Sequence, residues 1–232
     1  MGLRVRSLWR YPIKSFGGEQ LQTARIEGSG IEGDRSFGLR DLETGLILTA
    51  RRQPELLFAS ATWSQGSVSV SLPDGSATDR DDDLSKWLGK PVELVASGTS
   101  AGTFENPLDV ENDDDWVQWT GPIDSFHDSE RNRVSLVSVA SLGDWPAERF
   151  RKNVICDGAG EDELVGSSIT IGSVTLSVVK KVTRCVMVTR PQPGLDRDLS
   201  VLKTLNAERN SELGIGMTVD REGLVSIGDS VG

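Results

Sequence analysis

Short apolar runs of period two, each cut off by glycine, proline or an Asn/Asp turn before it can lengthen, recur from one end of this chain to the other. Alternation of that kind buries one face of a strand, whereas a helix needs apolar residues three and four apart. Leu3, Val5 and Leu8 alternate loosely before Pro12, and Leu21 to Ile26 precedes turns at Gly28, Gly30 and Gly33. Ser36 to Arg40 and Leu46 to Thr49 read as a hairpin with a longer loop, and Val68, Val70 and Leu72 run into Pro73-Asp74-Gly75. Arg133 to Val139 is a further strand. Phe150 to Ile155 reads as another, with Arg149, Arg151 and Asn153 on one face. Ser168 to Ile171 and Val174 to Val182 form a hairpin about Gly172-Ser173, and Gly223 to Val231 ends the chain as β structure.

Helical spacing is confined to short stretches. Asp81 to Gly89 places Leu84, Trp87 and Leu88 on one face with acids at its start and a glycine to cap its end. Ser141, Leu142 and Trp145 suit a first turn cut short by Pro146, and Asp198 suits the cap of a helix striped by Leu199, Leu202 and Leu205. The expected fold is mainly β and β-barrel-like, with short helices, in two lobes. Ala96 to Asp115, rich in Gly, Ser, Asn and Asp with little periodicity, reads as a long loop, which divides the chain into residues 1–112 and 113–232.

The net charge of −10 argues against nucleic acid and anionic membranes as partners. Its distribution is uneven: residues 57–148 carry 17 acidic and 5 basic groups, while 149–203 carry 9 basic and 6 acidic. Residues 1–56 are also mildly basic, so two distant basic segments could converge on something anionic, unless these local surpluses arise by chance. No apolar run approaches a membrane span, and MGLRVRSLWRYPIKS lacks the apolar core of a secretion signal, which leads us to expect a cytoplasmic protein. There the two cysteines, Cys156 and Cys185, are expected to be free thiols.

Cys185 lies in VVKKVTRCVMVTRP, an alternating apolar run expected to be one strand, beside Arg184 and near Lys180, Lys181 and Arg190. Cationic neighbours favour thiolate, the form that attacks electrophiles or ligates a soft metal. The alternative is a cysteine acting as a small buried hydrophobe. Cys156 follows Ile155 and reads as core. His127, the only histidine, reads as structural or exposed, although such a group could carry protons near neutral pH.

Five clusters in order, YPIKS (Tyr11 to Ser15), GDRSF (Gly33 to Phe37), LTARRQPEL (Leu48 to Leu56), RFRKN (Arg149 to Asn153) and TRC (Thr183 to Cys185), resemble the MOSC superfamily over nearly the whole chain. The resemblance is to chains with an N-terminal MOSC β-barrel region followed by a MOSC domain, among them amidoxime-reducing molybdenum proteins and the C-terminal part of molybdenum cofactor sulfurases. It implies that Cys185 ligates molybdenum and that Lys14, Ser15, Arg35, Arg151, Asn153, Thr183 and Arg184 hold a molybdopterin cofactor. The implied function is an oxidoreductase acting on small N-hydroxylated compounds with electrons from a separate protein. The alternative is a carrier of the cofactor or of sulfur, as a persulfide supplied by a donor protein. The chain departs from the family at Lys152, where relatives usually carry proline, and at Phe16, where some have cysteine. It departs again after Cys185, where VTRPQPGLDRD lacks the Asp-Pro-x-x-Gly of the amidoxime reducers.

Overall fold

A computed structural model describes residues 2–98, 101–108 and 115–232. Its main sheet has seven strands, in the order Ser168–Ile171, Val174–Thr183, Glu212–Arg221, Val134–Ser138, Val154–Asp157, Arg4–Arg10 and Glu19–Leu21. Neighbours are antiparallel except Val134–Ser138 and Val154–Asp157, which run parallel. The last residues join the sheet's edges: Ser230 bridges to Arg4 and Val231 to Ile171, with Val5 N donating to Asp229 O at 2.8 Å and Gly232 N to Thr170 O at 3.0 Å. Curling and joining spare the sheet an open row of unpaired backbone groups along those edges.

The inward positions are the apolar members of the alternating runs. Val5, Leu8, Val134, Leu136, Val154, Cys156, Ile169, Ile171, Val174, Leu176, Val178, Ile215 and Met217 form one core. Each fully buried aliphatic side chain there contributes about 1.5–3 kcal/mol relative to exposure. The first residues of the chain thus complete a sheet otherwise built from residues beyond 133.

A second core gathers Ile13, Phe16, Leu39, Leu56, Val70, Leu84 and Val92 between the pair Phe37–Asp41 and Val92–Ala96, the strands Ser60–Ser64 and Ser67–Ser71, and the helix Asp81–Leu88. Gly89 ends that helix at φ 67°, in the left-handed region that glycine enters without penalty. A third cluster (Val137, Phe150, Val188, Val201, Leu202, Leu205, Leu213) seats the helix Ser200–Arg209 beside the short turn Val186–Thr189. No helix among the described residues is long and apolar enough to cross a membrane.

Several sequence expectations change. The run through Cys185 is not one strand: pairing stops at Thr183, and Cys185 starts a short 3-10 turn, Val186–Thr189. Phe150 to Ile155 is not one strand either, because a 3-10 turn covers Ala147–Phe150, Arg151 is left-handed at φ 53°, and pairing begins only at Val154. The stretch expected to be loop holds a strand, Thr103–Pro107, paired with Trp116–Thr120 just beyond it, whose residues Val117 to Thr120 are exposed on both faces and so carry no alternation to read. The boundary at 112/113 lies outside the described residues. Leu46 to Thr49 meets Phe37–Asp41 only at the bridge Arg40–Ile47, the main partner being Val92–Ala96. The helix expected to begin with Ser141, Leu142 and Trp145 runs Val139–Leu142, so Trp145 lies past its end, and Ser138 caps it, accepting from Ser141 N at 3.1 Å. In the last helix the N-cap position falls on Leu199, not Asp198, which lies one residue earlier and accepts from Ser200 N at 2.9 Å; Leu199 is exposed and Val201 takes its place in the stripe.

Candidate functional site

The loops at one end of the main sheet and the turns of the second core face each other across a cleft of about 210 Å³. All eight residues singled out from the sequence, Lys14, Ser15, Arg35, Arg151, Asn153, Thr183, Arg184 and Cys185, line it, together with Arg51, His127, Asp128, Asn132, Arg149 and Lys180. Three of these backbones are turned into it by left-handed conformations at Ser15 (φ 72°), Arg35 (φ 52°) and Arg151 (φ 53°), unusual for residues other than glycine.

The floor is built on Asp34, whose carboxylate is fully buried. Its Oδ1 accepts from Tyr11 N at 2.7 Å, and its Oδ2 accepts from Arg35 and, at 3.0 Å, from Asn153 Nδ2. The Asp34–Arg35 pair is therefore an interior node and not a surface ion pair. Arg35 and Arg151 both lie against the Tyr11 ring, 5.3 and 4.4 Å from its centre, and Arg151 also donates to Phe16 O. Burial holds the Tyr11 hydroxyl up at about 12 against the pull of both arginines, so it stays a neutral phenol. Asn153 is fully engaged within the protein: Oδ1 accepts from Ser135 N and Oγ at 3.1 and 2.9 Å, and Nδ2 donates to Asp34 and to Trp9 O. It positions the floor and keeps no amide atom free.

At the rim, Lys14 Nζ donates to Phe126 O and Asp128 Oδ1, both at 2.8 Å, and sits 4.1 Å over the Phe104 ring. Burial pulls the Lys14 ammonium down to about 8; Asp128 opposes this, while Arg51 and Arg35 add to it. Ser15 Oγ accepts from Ala50 N at 2.9 Å, tying this turn to the one that carries Arg51. Arg51 Nη2 reaches Asp128 Oδ2 at 3.1 Å. Burial alone would lower its guanidinium, but Asp128 and the Cys185 thiol beside it outweigh burial and push it up. Arg51, from the other half of the chain, therefore faces Cys185 together with the adjacent Arg184. Of the expected neighbours, Lys181 pairs with Asp162 at 3.4 Å and Arg190 donates to Arg51 O at 3.2 Å.

Arg184 is anchored from both ends, its N donating to Ser211 O at 2.7 Å and its Nη2 to Phe150 O at 2.9 Å, and its Nε is buried without a partner. Thr183, last in its strand, is exposed at the wall. Arg149 lines the cleft but spends its guanidinium on the carbonyls of Val188, Arg190 and Asp196, bracing the loop after Cys185. His127 is buried, with Nε2 3.7 Å from Asp34 Oδ2 and no hydrogen bond. Burial, reinforced by Arg35, Arg133 and Lys14, keeps it neutral at neutral pH. Lys152, the departure from the family motif, is fully buried off the cleft wall with its Nζ unpartnered, and burial holds its proton affinity well below the ordinary lysine range.

Arg51, Asp128 and His127 were not singled out as site residues. The cluster holding Arg51 was visible, but only folding shows that Asp128 bridges Lys14 and Arg51.

Seven cations line this cleft and one carboxylate, Asp128, faces them. Among the described residues no three His, Cys, Asp or Glu side chains gather as a metal site. A metal at Cys185 would have one protein ligand and would have to bring the rest with it on an anionic carrier. The residues fit a group of that kind: a soft sulfur donor, a cationic wall, and the buried unpartnered polar atoms Arg184 Nε and Asn132 Oδ1.

Residues 2–105 match the family described as the MOSC N-terminal beta barrel domain, and residues 124–232 match the MOSC domain. The chain belongs to the MOSC family. It is 24% identical to mitochondrial amidoxime reducing component 2 of Bos taurus, over 98% of this chain and 82% of that protein. It is 23% identical to molybdenum cofactor sulfurase of Drosophila grimshawi, over 91% of this chain but 31% of the longer protein. The fold is shared with the YuaD protein of Bacillus subtilis, at a TM-score of 0.52 and 15% identity over 100% of this chain and 94% of that one. The MOSC cleft described here lies where the first matched segment meets the second, with Lys14, Arg35 and Arg51 from one and Asp128, Arg151 and Cys185 from the other.

Proposed function

We propose that this protein binds a molybdenum cofactor through Cys185 and acts as an oxidoreductase on small N-hydroxylated compounds. The observation that carries this reading is a partly exposed thiol held against Arg51 on a wall of cations gathered from both halves of the chain. The amidoxime reducing components among its relatives support the reaction class. When bound, the cofactor would supply a two-electron redox centre beside the thiol. Arg184, Arg151 and Lys14 would hold its phosphate, since guanidinium and ammonium groups make strong charge-assisted bonds to such oxygens. Asp128 and Phe126 O keep Lys14 in place, Tyr11 and Phe16 O keep Arg151, and Phe150 O keeps Arg184.

Reduction of an N–OH group consumes two electrons and two protons, breaks the N–O bond and releases water. The electrons would come from a separate electron-transfer protein, and solvent at the open cleft supplies the protons. A second reading rests on the sulfurase relatives: Cys185 carries sulfur as a persulfide, or the cleft carries the cofactor, for delivery elsewhere. Turnover separates the two. With the protein isolated from a host that makes the cofactor and dithionite-reduced viologen as donor, benzamidoxime should be reduced to benzamidine. Bound molybdenum without turnover would favour the carrier.

A further inference from the structure

Among the described residues one cation on the cleft wall stands apart from the rest. Lys14 and Arg51 are tied to Asp128, Arg35 to Asp34, and Arg149, Arg151 and Arg184 to backbone carbonyls. The Lys180 ammonium has no such tie. Lys180 stands directly across from Gly216 in the pairing of Val174–Thr183 with Glu212–Arg221. Directly opposed residues of an antiparallel pair send their side chains to the same face, with Cβ atoms about 4.5–5.5 Å apart.

Gly216 has no side chain, and Asn132 fills the space: its Oδ1 lies 2.7 Å from the point a Cβ on Gly216 would occupy. Lys180 and the Asn132 amide therefore share one patch of wall. That Oδ1 is buried without a hydrogen-bond partner, although both residues line the cleft. A buried acceptor is normally satisfied, so an orphan beside an uncommitted donor is a matched pair waiting for a partner.

We propose that Asn132 and Lys180 form a recognition subsite for a lactam edge, an N–H beside a C=O on a heterocycle: Asn132 Oδ1 accepts the N–H and Lys180 donates to the carbonyl. Cys185 lies five positions further along the chain, two past the end of the strand at Thr183, and the same cleft is lined by the subsite and the thiol. The proposal rests on the cofactor reading above. Two ligands present this chemistry there, the pterin ring of the cofactor and the ring of an N-hydroxylated nucleobase.

The full chain, produced in a cofactor-competent host, tests it with Asn132→Ala, Asn132→Asp and Lys180→Met. Bound pterin is measured by oxidation to its fluorescent form, alongside molybdenum by elemental analysis. The ratio of kcat/KM for N4-hydroxycytosine to that for benzamidoxime, which has no lactam edge, is measured on the same samples. If the pterin is the occupant, Asn132→Ala and Lys180→Met each cut bound pterin about ten-fold. If a nucleobase is the occupant, pterin stays and the kcat/KM ratio falls about ten-fold, as expected when a site built to hydrogen-bond loses its partner. In both cases Asn132→Asp, which keeps an acceptor, retains more than the alanine variant. Wild-type pterin content with an unchanged ratio in both variants overturns the subsite. A wild-type protein that binds no pterin overturns the cofactor reading, and the subsite with it.

Discussion

One cysteine sits within a strand of the main sheet and the other just past the end of another, and they differ in almost everything else. Cys156 lies within Val154–Asp157, wholly buried among Val5, Leu136, Val154 and other core residues. Burial, with Glu161 and Asp157 adding their charge, pushes its thiol up to about 12, so it remains protonated and apolar. Cys185 lies two residues beyond the end of a strand, where backbone pairing has stopped, and faces Arg51 across the cleft. Both follow an apolar or basic residue in a Val-rich run. What separates them is where the strand ends: inside the barrel a thiol is filling, and past its edge it faces a field of cations.

The largest test of that contrast is exchange of each thiol for hydroxyl. Cys185→Ser should lower molybdenum content by about 100-fold or more, since ligand removal exceeds the loss seen for outer-shell partners, while far-UV circular dichroism stays that of a folded β protein. Cys156→Ser should do the reverse. A buried hydroxyl without a partner costs about 1–3 kcal/mol, read as a lower urea midpoint, and the folded fraction keeps its metal. Loss of metal in both, or in neither, would erase the distinction between the two positions.

Charge at the rim gives a smaller, pH-dependent effect. Lys14 is held down to about 8 by burial, so as pH rises through about 8 it loses its proton and with it one cation of the wall. Retention of an anionic cofactor should weaken over that range, and Lys14→Met, weaker throughout, should lack the step. The same shift has a stability sign. The unfolded chain binds this proton more tightly than the folded one, so above about 8 stability gains with rising pH until the ordinary lysine value is reached, and that gain is absent below it. Ligand retention and fold stability therefore move in opposite directions, which distinguishes a binding effect from unfolding.

The smallest expected effect is at Lys152, a buried ion-capable group with no place on the cleft wall. Replacing it with methionine removes an unpartnered Nζ from the interior and should leave stability unchanged or raise it by about 1 kcal/mol, with molybdenum content unaltered. A fall in metal would show that the interior behind Arg151 communicates with the cleft.

Much of this was legible in the sequence where one period or one residue governs. The alternation of Val134–Ser138 and Ser67–Ser71, the hairpin at Gly172-Ser173 and the helix closed by Gly89 follow from local rules. The eight site residues were legible only through motif resemblance, because Lys14 and Cys185 converge from opposite halves of the chain. Two features were hidden for physical reasons. The hairpin Thr103–Pro107/Trp116–Thr120 has a largely exposed second strand that no apolar pattern marks. One strand ends at Thr183 and another begins only at Val154 because backbone pairing stops and Arg151 is left-handed, which the spacing of side chains does not record. Asp128, which holds Lys14 and Arg51 together, sits in a polar stretch that offers no periodicity at all.

The central claim is that Cys185 is a metal ligand, and elemental analysis of molybdenum in wild type and Cys185→Ser from the same cofactor-competent host tests it most directly. The account predicts molybdenum approaching one atom per chain in the wild type and background in the folded variant. Wild-type protein without molybdenum, or a variant that keeps it, would contradict the account.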